Sequence, residues 1–89
     1  MPQLDYEPVF SAKAWELLLG LSKRRQIKVA RLAYALGDFP FRVGDYQTID
    51  SVGRPLENLR VDGFLFTYWA DHGAAELRIF VTILWSRAA

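Results

Sequence analysis

The chain has 89 residues, 52% of them hydrophobic, with eleven Lys and Arg against ten Asp and Glu and no cysteine. That length holds one domain, expected over residues 1–89, and the lack of cysteine excludes a disulfide framework or a thiolate metal centre. The net charge of +1 says nothing by itself about nucleic acid, and no apolar run reaches membrane-span length.

No signal peptide leads the chain, so the cytoplasm is the expected location. The single histidine, His72, falls in a turn, and neither a metal nor a cofactor is expected. Met1–Glu7 is polar and reads as extended. Tyr6–Phe10 alternates and predicts a short strand; Pro8 cannot donate to a ladder, which places that strand at a sheet edge. Ser11 is an N-cap for a helix over Ala12–Leu21, with Ala14, Trp15, Leu18, Leu19 and Leu21 on one side. Gly20 weakens its end, and Ser22 caps a second helix over Lys23–Leu36. There Ile27, Ala30, Tyr34 and Leu36 are expected to face inward, supported by Val29, Leu32 and Ala33.

That second helix carries Lys23, Arg24, Arg25, Lys28 and Arg31, five of the eleven basic residues, and no acid lies between Glu16 and Asp38. One reading is a solvated face. The other is an electrostatic landing surface for nucleic acid or an acidic partner.

Gly37–Asp45 is a loop. Strands follow over Tyr46–Asp50, Leu56–Val61, 64–70 and 75–85. Asp62-Gly63 favours a two-residue turn and Asp71-His72-Gly73 a second hairpin. The order strand, helix, helix, four strands predicts an α+β fold: an N-terminal strand and helical hairpin packed on an antiparallel β-meander.

Period-two alternation divides the last two strands. Phe64, Phe66 and Tyr68 share a face with Leu77, Ile79, Val81, Ile83 and Trp85, the expected core. The opposite face carries Leu65, Thr67 and Trp69 with Arg78, Phe80, Thr82 and Leu84. A face this apolar must be covered or must bind something. Exposed aromatics beside arginine suit a protein interface or base stacking. Leu65, Trp69, Phe80 and Leu84 are therefore the expected partner-binding residues, with Trp69 and Arg78 as anchors. Trp15 and Trp85 are expected in the core.

Four stretches resemble the RelE/ParE toxin superfamily of bacterial type II toxin–antitoxin systems. Pro8-Val-Phe-Ser11 leading into a helix is similar to the family's opening. Lys23-Arg24-Arg25 followed by an apolar helix ending near Pro40 resembles its second helix. Val61-Asp-Gly-Phe64 with Tyr68 resembles its glycine–aromatic–tyrosine strand, and Glu76-Leu77-Arg78-Ile79 through Ile83 to Arg87 its last strand and closing basic residue. The resemblance spans nearly the whole chain. It implies a toxin that inhibits translation by ribosome-dependent mRNA cleavage or inhibits DNA gyrase, neutralised by a cognate antitoxin that wraps it with a helix or an added strand.

RNA cleavage requires a base for the ribose 2′-hydroxyl, cations for the developing charge and a donor for the leaving oxygen. Arg54, Arg60, Arg78, Arg87, Tyr46, Tyr68 and His72 are the available groups, and Arg78, Arg87 and Arg54 are the expected catalytic set. Ribosome-dependent members carry an arginine directly after the aromatic where this chain has Leu65, which favours a non-nuclease branch or a member that has lost activity. The other class of reading is a homodimeric, non-catalytic interaction module that uses the second face for self-association.

Overall fold

Two serines start the helices. Ser11 and Ser22 are extended, and their hydroxyls accept the amides of Ala14 at 3.1 Å and Arg25 at 3.3 Å, satisfying N–H groups the helices cannot. The computed structural model describes residues 5–84. In chain order they form β1 (Glu7–Phe10), α1 (Ala12–Leu19), α2 (Lys23–Gly37), β2 (Tyr46–Ile49), β3 (Pro55–Val61), β4 (Phe64–Asp71) and β5 (Glu76–Leu84). α1 stops two residues short of expectation, where the Leu21 amide bonds to the Leu18 carbonyl three residues back instead of four. Trp85 and Arg87 lie outside the described residues.

The five strands make one sheet in the order β1-β5-β4-β3-β2. β2 to β5 form the expected antiparallel meander. β1 pairs parallel with β5, so the whole sheet is mixed, and the Pro8 strand sits at an edge as its missing donor requires. The β3–β4 turn is Asp62-Gly63 with φ of 49° and 83°, the paired positive values of a type I′ hairpin. Gly37 closes α2 against β1. Its carbonyl accepts the Tyr6 amide at 2.8 Å, and a Cβ there would overlap the Tyr6 carbonyl.

Both helices cover one face. Ala14 and Leu18 of α1 and Val29, Ala33 and Leu36 of α2 meet Leu59, Phe64, Phe66, Tyr68, Leu77 and Ile79 in the core. The small Ala14 and Ala33 let the helix backbones come close to the sheet. Ile27 and Tyr34 do not face inward as expected: they are 49% and 62% exposed. Positions 29, 33 and 36 form one stripe of a 3.6-residue period, and 27 and 34 form another on roughly the opposite side. Trp15 is likewise outside the core, 52% exposed with its ring edge against Phe10.

A register shift reassigns the end of β5. Thr67 pairs with Val81 but Tyr68 pairs with Ile79, so Phe80 is the extra residue of a bulge. Side-chain parity reverses beyond it. Ile79 stays fully buried, whereas Val81 and Ile83, expected in the core, join Thr67 and Leu65 on the outer face. Thr82 and Leu84 move the other way, opposite Phe66 and Phe64 on the helix side. Leu84 is thus not part of the outer patch, and Thr82 is buried in the core.

Candidate functional site

The outer face of the sheet begins with a polar ladder. Asn58 of β3 is opposite Thr67 of β4 and Tyr46 of β2. The Thr67 hydroxyl donates to Asn58 Oδ1 at 2.7 Å, and Asn58 Nδ2 donates to the Tyr46 carbonyl and to Thr48 Oγ1. Asn58 and Thr67 are both buried, and satisfying each other lowers the cost of that burial. Asn58 has no signature in the sequence; only its pairing register reveals the role.

Beside the ladder, Leu65, Trp69 and Phe80 are half-buried on the same face. The chain itself roofs the aromatics. Asp50 turns the segment 50–54: its Oδ1 accepts the Val52 and Arg54 amides, and its Oδ2 accepts Arg54 Nε at 2.8 Å. Arg54 is thereby laid over the Trp69 ring at 4.9 Å from the guanidinium carbon and over Phe80 at 5.3 Å, cation–π distances. Burial pulls the Asp50 carboxyl upward, but the backbone and side-chain hydrogen bonds from Arg54 and the Val52 amide outweigh it and leave the group below the usual carboxylate range.

Arg78 lies opposite Trp69, as the alternation predicts, and is engaged as well. Its Nη2 is 3.2 Å from Asp71 Oδ2 and 3.3 Å from Glu76 Oε1. Its Nε is buried with no partner among the described residues. The structure brings Arg54, Trp69, Phe80 and Arg78 to one face, with Asp50, Asp71 and Glu76 as the acids that the sequence reading did not attach to them. Arg60 stacks on Tyr46 at 5.6 Å.

Of the candidates for moving protons, Tyr46 lies on this face opposite Asn58, whereas Tyr68 and His72 are held elsewhere. Tyr68 is buried on the core side, its hydroxyl donates to the Arg42 carbonyl at 2.8 Å, and burial with the nearby Glu57 charge pushes its pKa up to about 12. His72 Nδ1 is 2.8 Å from the Tyr6 hydroxyl, and the ring stacks on Phe41 at 4.8 Å. No group of three or more His, Asp or Glu placed to hold a metal occurs among the described residues.

The basic residues of α2 occupy a different surface. Lys23, Arg24, Arg25, Lys28 and Arg31 are all exposed. Arg24, Arg25 and Lys28 line a cleft of about 480 Å³ with Asp62, Phe64 and Leu84. Arg24, Lys28 and Arg31 continue into a neighbouring one of about 420 Å³ with Ile27 and Leu32.

No family model matches the chain, and no curated protein matches it. Among solved structures, a chain of the toxin–antitoxin complex RelBE2 from Mycobacterium tuberculosis matches with a TM-score of 0.74 and 21% identity, over 90% of this chain and 98% of that one. The α+β fold is RelE-like, as the residue resemblance implies. No helix among the described residues is long and apolar enough to cross a membrane.

Proposed function

We propose that the chain is the toxin of a type II toxin–antitoxin pair, that a cognate antitoxin holds it in check, and that it acts by binding its target rather than by cutting RNA. The fold likeness over 90% of the chain supports the toxin assignment. The binding mode rests on one observation: the two arginines of the expected catalytic set that lie among the described residues are engaged by carboxylates, Arg54 by Asp50 and Arg78 by Asp71 and Glu76. The negative charge of those acids opposes a phosphate at the same arginines. The remaining proton-transfer candidate of the strand, Tyr68, is inside the core. A protein target, DNA gyrase in the branch that lacks the strand arginine, fits this surface better than a scissile RNA.

Inducible expression with and without the product of the adjacent gene tests the reading. Growth arrest from this chain alone, relieved by a co-purifying neighbour, is the expected result. Unimpeded growth at a verified protein level would refute it.

A further inference from the structure

We infer that the flank of α2 beside the β3–β4 turn seats an acidic, amphipathic segment of the partner protein, an inference that rests on reading the chain as the restrained member of a pair. Three observations carry it.

The first is electrostatic. Lys23, Arg24 and Arg25 are the first turn of a fifteen-residue helix with no acid in it, so three cations stand at the positive end of the macrodipole. Arg24 and Lys28 repel one another four residues apart. None of the five α2 cations forms an ion pair among the described residues. A surface that only had to be soluble would mix the signs, as the acids beside Arg54 and Arg78 do.

The second is apolar. Ile27, exposed by 49%, stands among Arg24, Lys28 and Arg31. Leu84, exposed by 46%, is carried to the same flank by the β5 bulge, next to Arg25 and Lys28. A solvated helix face does not require an outward isoleucine stripe.

The third concerns which polyanion fits. Among the described residues Asp62 is the sole carboxylate lining the two clefts, so an anion is attracted. A phosphodiester backbone would satisfy the cations and leave Ile27 and Leu84 in water. A segment carrying Glu or Asp beside Leu- or Val-like side chains covers both, in the helix-in-groove manner.

The test uses the full chain and three probes: a helical peptide with one Glu-rich and one Leu-rich face, a peptide of equal charge with Ser replacing Leu, and a single-stranded RNA. The Glu/Leu peptide binds more tightly than the other two. Arg24→Glu and Lys28→Glu each weaken it by about tenfold or more, and Leu84→Ser removes the preference for Leu over Ser. Arg25→Glu weakens the peptide too, yet raises the melting temperature of the isolated chain, because it completes a capping box with Ser22. A merely structural role for Arg25 would move stability and binding together. No binding of the Glu/Leu peptide, or tighter binding of the RNA, overturns the inference. An adjacent-gene product that still rescues growth and binds the Arg24→Glu and Lys28→Glu variants unchanged also overturns it, while leaving the toxin reading intact. Failure of the parent chain to arrest growth would instead sink the toxin reading, and the peptide titration would still decide this surface.

Discussion

Thr82 shows what one inserted residue does. Strict alternation puts it outside with Arg78; the bulge at Phe80 puts it in the core, where its hydroxyl has no partner among the described residues. An unsatisfied buried hydroxyl costs roughly 1–3 kcal/mol. Thr82→Val should therefore stabilise the chain by about 1 kcal/mol in denaturant unfolding; a loss of stability would show that the hydroxyl is satisfied in solution. Either side of the bulge the expected costs diverge: Ile79→Ala about 2–5 kcal/mol, Val81→Ala markedly less. Equal losses would restore the unbroken alternation. Tyr68 gives a pH signature. Its folded pKa, about 12, lies above the ordinary tyrosine value of 10.0, so the folded state keeps its proton longer. The stability this provides is complete below pH 10 and is lost as pH rises through 12, at up to about 1.4 kcal/mol per pH unit. Tyr68→Phe should flatten that alkaline slope; an unchanged slope would place the titration elsewhere. The core aromatics were legible from spacing alone. The bulge was not, because nothing in Arg-Ile-Phe-Val-Thr distinguishes a strand with one residue too many.

At the scale of elements, the sequence located nearly every helix and strand because the local signals agreed: serine caps, an Asp-Gly turn, proline at an edge. It misjudged α2's inward face, since two apolar stripes, 29/33/36 and 27/34, share one helix and only packing decides between them. It also treated Asp50 as a turn residue alone, although the same carboxylate that shapes the turn positions Arg54 over Trp69. That device sets an acid dependence. The Asp50 carboxyl lies below its ordinary value of 3.8, so its contribution is present above that pH and is lost as pH falls through the lower folded value. Lowering the pH through this range should uncover Trp69, seen as a fluorescence change in the parent that Trp69→Phe largely removes. Asp50→Asn should produce the change at neutral pH. If the Asp50→Asn spectrum matches the parent's at neutral pH, the roof does not depend on this carboxylate.

For the whole molecule, two surfaces differ in how their cations are paired. On the outer sheet face Arg54 and Arg78 are paired with the chain's own acids, while the α2 cations form no ion pair among the described residues. A RelE-like fold does not by itself set the function of either surface. The most direct measurement is primer extension on translated messenger RNA after induction of the chain in growing cells. Growth arrest with intact transcripts is the result this account predicts. New transcript ends that appear on induction and vanish with Arg78→Ala would contradict it.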